Sequence, residues 1–411
     1  MNMAMRDALV IGAGLAGAAV CERLCARGWR VTLIERHAQP AMEASGNHAG
    51  SFHPLLARDA NRMARLTDAG VAFALGYWRG LEAAGLHFGW SACGALQLSR
   101  ADGKSDPALA LARDTGSATP RRAQVVAQAR CAELAGVAVA SGGVFFEDGG
   151  WVQPRQLVAA QLARCADLCG ARFVAHFGCS VAQVRRVAGQ TATAWEALDS
   201  AGARIAAASV VVVAGGASSD AARWFGQTEW PIDGVRGRLT LVDAGACAAP
   251  RLPVHRDGYV LPAIAGRIVV GASYECSGAI DTAATDRENL RRLAGLLQCP
   301  AAGDFTPTAE SRSATRAVAR DRLPVIGALP DTAALTHALV TRKGVRQSDL
   351  PRLCGVYVAG AYGSRGLTWA ALGGEVLASM LEGTPPPLEG ALLDAIDPAR
   401  FAFRALRRAQ G

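Results

Sequence analysis

The sequence predicts an α/β protein in which a Rossmann-like dinucleotide-binding domain is interleaved with an α+β substrate domain built on an antiparallel sheet. Three observations carry this. A strand–glycine motif–helix–strand unit opens close to the N-terminus. Strand runs of the fully buried type return near residues 210 and 356. Between them, from about 235 to 275, short β runs separated by turns replace that pattern.

Along the chain, Ala8-Leu9-Val10-Ile11 is the first apolar strand run, and Gly12-Ala13-Gly14-Leu15-Ala16-Gly17 follows it. Residues 18–27 read as a helix ending at Gly28, and 29–34 as a second strand closing at Glu35. A long amphipathic helix is predicted over 61–84, strand-like sequence over 86–99, and Ala/Arg-rich helix over 105–135 with a break at Thr119-Pro120. A helix over 154–169 starts with Pro154, where a missing N–H does no harm. Residues 210–214 form a continuous apolar strand. Residues 239–242, 259–262 and 268–271 are the short β runs, 356–359 a further buried strand, and 366–381 a helix stopped by Pro385-Pro386-Pro387. With neither internal repeats nor low-complexity linkers, the expected division is discontinuous: 1–95, 150–228 and 345–411 in the dinucleotide domain, 96–149 and 229–344 in the substrate domain.

With 411 residues, 51% apolar and only 19% charged, the chain is excluded from the disordered class. No apolar stretch approaches the ~18 residues of a membrane span. Arg6-Asp7 and the glycine spacing argue against a signal peptide, so a cytoplasmic protein is expected. The net charge of +8 permits an acidic partner, although a chain whose only lysines are Lys104 and Lys343 also suits a compositional bias toward arginine. There are 11 cysteines and no C-x-x-C pair. Cys21/Cys25 and Cys165/Cys169 have i,i+4 spacing, which binds a metal only with partners from elsewhere; buried thiols and no metal site are expected.

Gly12-x-Gly14-x-x-Gly17 carries the chemistry of a dinucleotide site. The first glycine allows the turn, the second lets backbone approach a pyrophosphate, and the third lets helix and strand pack closely. Leu15 and Ala16 open the helix beside that pyrophosphate. Glu35, with Arg36 beside it, is placed to accept hydrogen bonds from a ribose. Two further glycine clusters, at Ala214-Gly215-Gly216 and at Gly363-Ser364-Arg365-Gly366-Leu367-Thr368, give close backbone approach at other strand ends. A helix starting at Gly366 would stabilise negative charge on a reduced flavin. Three such sites favour FAD over NAD.

These motifs, with the segment Ala44-Ser45-Gly46-Asn47-His48-Ala49-Gly50-Ser51-Phe52-His53-Pro54-Leu55-Leu56, resemble the glycine oxidase/D-amino-acid oxidase superfamily. More closely, the chain resembles the FAD-dependent oxidoreductase domain of the bacterial MnmC family, bifunctional enzymes that modify the tRNA wobble uridine. Further matches are Asp59-x-x-Arg62, Val235-Arg236-Gly237, Gly271-Ala272-Ser273-Tyr274, Asp321-Arg322-Leu323-Pro324-Val325-Ile326-Gly327, 360–367 and Asp397-Pro398-x-Arg400. The resemblance implies a glycine-oxidase-type fold, FAD contacts at Ser45, Gly46, Asn47 and Gly50, and tRNA as partner. It implies oxidation of 5-carboxymethylaminomethyl-(2-thio)uridine to 5-aminomethyl-(2-thio)uridine.

The arm of that nucleoside is an N-substituted glycine, so its carboxylate needs a cationic handle. Related oxidases place such an arginine in the pattern Arg316-x-x-x-x-Asp321-x-x-Pro324-x-Ile326-Gly327, which makes Arg316 the first choice and Arg312 the second. Tyr259, Tyr274 and Arg365 are further candidates for closing or lining the site. Hydride transfer from a neutral amine needs no strong base, so His48 and His53 are not required, and non-covalent FAD is expected. Arg400, Arg404, Arg407 and Arg408, with Arg342, Lys343 and Arg346, either contact tRNA phosphates or belong to a docked terminal helix. The resemblance does not extend to the family's N-terminal methyltransferase: only one dinucleotide motif is present, so the expectation is either a stand-alone oxidoreductase or a separated half, with a separate tRNA methyltransferase as one candidate partner. Two rival readings stay open, a free glycine, sarcosine or D-amino-acid oxidase and a non-catalytic flavin- and tRNA-binding module.

Overall fold

The computed structural model describes residues 6–57, 61–100, 122–187, 194–227, 230–274, 281–299, 304–335 and 344–409. Its centre is a six-stranded sheet in the order Val325–Pro330, Arg352–Gly360, Val210–Gly215, Asp7–Ile11, Arg30–Glu35, Phe173–Phe177. The strands are parallel except Val325–Pro330, which runs antiparallel at one edge. Leu9, Val10, Val211, Val212 and Val213 have no exposed surface, as expected of strands covered on both faces.

Helices Leu15–Cys25, Pro154–Cys169 and Gly366–Glu382 cover one face of this sheet. Their approach depends on small residues. A Cβ on Gly17 would collide with the Gly12 carbonyl, and one on Gly374 would sit 2.9 Å from the Ala19 backbone. The two cysteine pairs lie buried where the first two helices meet. The antiparallel ribbon Gln183–Arg186, Trp195–Leu198, Arg204–Ala208 packs on the other face through Val184, Trp195 and Ala197.

A second sheet of eight strands is almost wholly antiparallel. Its order is Arg312–Ala319, Ile232–Asp243, Arg267–Gly271, Tyr259–Val260, Val254–His255, Ala95–Leu98, Gly143–Phe146, Ala123–Val126. Alternation gives it two apolar faces. Val242, Val260, Ile268 and Val270 meet Leu290, Leu293 and Leu297 of helix Thr282–Leu297, while Leu239, Leu241 and Val269 form a separate cluster with Ala49 and Tyr259.

Two sequence expectations are corrected. Of the helix predicted over 105–135, only 122–135 lies within the described residues, and there Ala123–Val126 is an edge strand followed by a helix at Gln128–Ala135. Pairing with Gly143–Phe146 overrides the local Ala/Arg preference for helix. The β run read at 239–242 is the end of a much longer strand, Ile232–Asp243, whose first half is masked in the sequence by Asp233, Gly234 and Gly237. The predicted break at Thr119-Pro120 lies outside the described residues.

Candidate active site

The two sheets meet over a long cavity. The carboxyl ends of the parallel strands line one end and one side; Tyr259, Tyr274 and Arg316 of the antiparallel sheet region line the other. Among the sequence-predicted residues, Gly12, Gly14, Leu15, Ala16, Glu35, Arg36, Ser45, Asn47, Gly50, Ala214, Gly215, Gly216, Gly363, Ser364, Gly366 and Leu367 lie on its wall.

At the first end, Gly12 adopts φ +106°, which L side chains rarely adopt. The Glu35 carboxylate is buried and oriented: Oε2 accepts from the Ala13 N–H at 2.7 Å and Oε1 from the His37 N–H at 3.0 Å. Its remaining lone pairs suit a pair of ribose hydroxyls. Arg36 pairs with Glu43 at 2.6 Å, and His37 meets the same carboxylate at 2.8 Å. Burial pushes the Glu43 carboxyl up, but His37 and Arg36 outweigh it and hold it below its ordinary value. Ser45 Oγ accepts from the Leu15 N–H at 3.0 Å, fixing the 44–46 turn against the helix N-terminus. A Cβ on Gly14 would sit 2.9 Å from that Oγ, so the second glycine also makes room for Ser45.

At the other end, the strand Gly50–Phe52 and the start of helix Gly366–Glu382 face each other. A Cβ on Gly50 would sit 2.9 Å from Leu367 Cδ1 and displace that methyl group. Ala361, a non-glycine residue on the wall, is held at φ +56°, the kind of backbone strain that clusters at functional sites.

Arg316 projects from the strand Arg312–Ala319 into this end. Its Nη1 is buried and has no hydrogen-bond partner among the described residues. A Cβ on its cross-sheet neighbour Gly237 would collide with that nitrogen. The guanidinium lies 4.9 Å from the Tyr274 ring centroid. Tyr259 lies alongside, its hydroxyl proton held by burial well above the ordinary tyrosine range, against the opposing pull of Arg316. A buried cationic nitrogen lacking a partner is costly unless an anion meets it.

Four predicted residues are not on the wall. Gly17 lies behind it, against Gly12. Gly46 faces Arg312, to which its carbonyl accepts at 2.5 Å. Thr368 is buried under helix Arg62–Ala83, where a Cβ on Gly70 would meet its carbonyl at 2.7 Å. Arg365 lies with its guanidinium 5.6 Å from the Trp369 ring, and burial holds its proton affinity below the ordinary value.

Arg312, the second choice, is excluded as a handle. It donates to the carbonyls of Gly46, Met42 and Glu43, the last two at 2.9 and 3.0 Å, and so ties down the loop that carries Ser45. Of the two readings left open for the tail, Arg400 and Phe401 take the docked one. Arg400 is 1% exposed and donates twice to Asp321, at 2.9 and 3.1 Å, besides three backbone carbonyls. Phe401 is buried beneath Trp230. Neither is available to a phosphate, while Arg407 and Arg408 are exposed; Arg342 and Lys343 lie outside the described residues. His48 meets the Ile264 carbonyl at 2.8 Å, and His53, kept neutral by burial, stacks on Phe146 at 5.1 Å; neither lines the main cavity. Sequence reasoning missed Cys179, Arg223 and Trp224 at the first end of the cavity; Cys179 comes from the loop after the strand Phe173–Phe177 and the other two from the short helix Ala221–Phe225, with no motif to announce them.

The family described as DAO, FAD dependent oxidoreductase, matches residues 7–380, and the chain belongs to it. The cofactor is therefore FAD, and the open backbone cradle, the oriented Glu35 and the unpartnered Arg316 fit that group and an anionic substrate beside it. The chain is 46% identical to the tRNA 5-methylaminomethyl-2-thiouridine biosynthesis bifunctional protein MnmC of Burkholderia pseudomallei (strain 668), over 98% of this chain and 60% of that protein. Its identity to the protein of the same name from Burkholderia thailandensis is also 46%, over 99% and 61%. It thus spans about 60% of the length of the curated relatives it matches. Among solved structures, glycine oxidase from Geobacillus kaustophilus aligns with a TM-score of 0.72 at 20% identity, covering 95% of this chain and 97% of that one. Iminodiacetate oxidase from Chelativorans sp. BNC1 aligns at 0.73 and 21%, covering 95% and 98%. Both show the same fold.

Proposed function

We propose that the chain oxidises the carboxymethylaminomethyl arm of 5-carboxymethylaminomethyl-(2-thio)uridine at the tRNA wobble position, leaving 5-aminomethyl-(2-thio)uridine and glyoxylate. The observation that carries this is the unpartnered Arg316 nitrogen in a flavin-type cavity; the 46% identity to tRNA-modifying proteins supports it.

Bound FAD, held without a covalent link, supplies a two-electron acceptor for the hydride leaving the carbon between amine and carboxylate. Gly12, Gly14, Leu15 and Ala16 would hold the pyrophosphate, Glu35 the ribose, and Asn47, Gly50, Gly363, Ser364, Gly366 and Leu367 the ring. Arg316 grips the substrate carboxylate, which fixes the C–H bond's direction and keeps the reacting carbon in place. Tyr259, un-ionised because it is buried, offers an O–H to the same carboxylate or amine. The amine reacts in its neutral form, and water hydrolyses the resulting imine to the primary amine and an aldehyde. The discontinuous division into dinucleotide and substrate domains belongs to this proposal, as does a cytoplasmic setting where tRNA is available. The primary amine is the chemical group a methyltransferase would take next, in the same polypeptide or a separate one.

The test is nucleoside analysis of tRNA bearing the carboxymethylaminomethyl group after incubation with the flavin-loaded protein. The expected result is conversion to the aminomethyl nucleoside. Turnover of free glycine or sarcosine at equal efficiency, with tRNA untouched, would replace this reading with the amino-acid oxidase.

A further inference from the structure

Tyr274 is 62% exposed, although it lines the mouth of the cavity. Its backbone is nevertheless anchored. The Ala272 carbonyl accepts from Arg292 at 2.9 Å. Ser273 Oγ accepts from the Arg238 N–H at 2.9 Å, and the Ser273 N–H donates to the Arg238 carbonyl at 3.3 Å. Arg238 is itself fixed by a two-point ion pair with the buried Asp286, both bonds 2.8 Å. The side chain therefore stands on a fixed pedestal.

One side of the ring meets the Arg316 guanidinium, 4.9 Å from its centroid. An exposure of 62% cannot arise with both faces covered, so the opposite face is open to solvent. A large ring on an anchored backbone, left uncovered beside a partly buried cation, is a natural seat for a flat partner.

The surroundings say what kind of partner. Arg316, Arg322 and Arg365 have no carboxylate partner among the described residues. Arg322 and Tyr274 are both near enough to Arg365 to act on it electrostatically. Arg322 is held at φ +61°, a conformation in which glycine would be cheaper, and its side chain is exposed. A flat group arriving with negative charges suits this mouth better than a neutral aromatic amine.

We propose that Tyr274 is the stacking platform for the nucleobase whose arm enters the cavity, so that base and carboxylate are held on opposite sides of one tyrosine–arginine pair. The inference rests on the tRNA reading and deepens it: Arg316 recognises the glycine-like end, Tyr274 the pyrimidine. Enzymes acting on a base take it out of its stack, and an aromatic face replaces the stacking it loses.

The test compares two ligands of the flavin-loaded full chain. One is 5-(carboxymethoxymethyl)uridine, in which an ether oxygen replaces the amine and prevents oxidation. The other is methoxyacetate, the same arm without the base. Dissociation constants come from perturbation of the flavin absorption band. The wild type is expected to prefer the nucleoside by roughly 5- to 150-fold, the range base–aromatic stacking supplies. Tyr274→Phe keeps that preference. Tyr274→Ala brings it close to one. Any disturbance of Arg316 affects both ligands alike and leaves the ratio intact. The proposal is overturned if Tyr274→Ala keeps the wild-type preference. It is equally overturned if the wild type shows none, which would leave Tyr274 as a cover for a small pocket. Failure of the tRNA reading has a different signature: the wild type forms no aminomethyl product from modified tRNA, whatever the binding ratio.

Discussion

Arg312 and Arg316 stand on one strand and, by its alternation, on one face, yet they have opposite fates. Arg312 gives its guanidinium to three carbonyls of the 42–46 turn. Arg316 points into the cavity with a buried nitrogen that nothing accepts from. Both keep one buried nitrogen without a partner among the described residues, Nε in Arg312 and Nη1 in Arg316, but only Arg312 has its two terminal nitrogens tied to backbone and only Arg316 lines the cavity, which is why Arg316 is the one proposed to bind. Arg400 repeats the first case at the end of the chain, where Asp321 and three carbonyls close around it. In each case the neighbours define the role, and residue type does not.

The comparison breaks most visibly at Arg316. Replacing it with alanine is expected to lower kcat/KM on modified tRNA by roughly 10²- to 10³-fold, as for loss of one partner of a buried charge pair. Thermal stability and flavin content should not fall, because the unliganded protein loses only an unsatisfied cation. Lysine should not restore the activity, since it lacks the two-pronged geometry. Steady-state kinetics beside a melting curve checks both halves.

Arg312→Ala should do the reverse. Three carbonyls lose a charged donor, which costs about 2–4 kcal/mol in this half-exposed setting. The turn carrying Ser45 then loosens from the Leu15 amide, and flavin is retained poorly. Turnover per bound flavin should stay near wild type. A drop in turnover per flavin as large as that of Arg316→Ala, with the cofactor firmly held, would mean that the two arginines had been assigned the wrong way round.

How much of this was legible depended on how local each signal was. The unit from Asp7 to Glu35 was readable because its glycines, apolar strands and terminal acid all serve one local geometry. The helix Pro154–Cys169 was read to the residue because Pro154 marks its start and Gly170 its end. Arg316 is proposed from a pattern shared with related oxidases, which no local signal would have supplied. By contrast, the strand Ala123–Val126 is set by its partner across the sheet, and Gly237 in Ile232–Asp243 leaves the space that Arg316 occupies, so neither advertises itself as β. Arg400 looked like a solvent-facing charge because Asp321, which buries it, is distant in sequence. The exposure of Tyr274 was equally out of reach, since an aromatic residue in a β run reads as core.

The smallest effect concerns acid. Burial raises the Asp321 carboxyl, but hydrogen bonds from Arg400 and Arg404 and from the Leu323 N–H outweigh it and leave it below its ordinary value. The folded state then binds fewer protons than the unfolded one through that range. The contribution is complete above the unfolded value of about 3.9 and disappears as pH falls through the folded one. Because Asp321 is only partly shielded from water, the pH-dependent part is about 1 kcal/mol. Asp321→Asn removes a group that titrates, so the stability gap between wild type and this variant should narrow by that amount between pH 5 and about pH 2. Arg316→Ala should show no such narrowing, because Arg316 has no carboxylate partner among the described residues to protonate. Denaturant unfolding of the three proteins across that range measures the difference. A parallel narrowing for Arg316→Ala would reveal an acid bound to it after all, and would return Arg316 to the same class as Arg400.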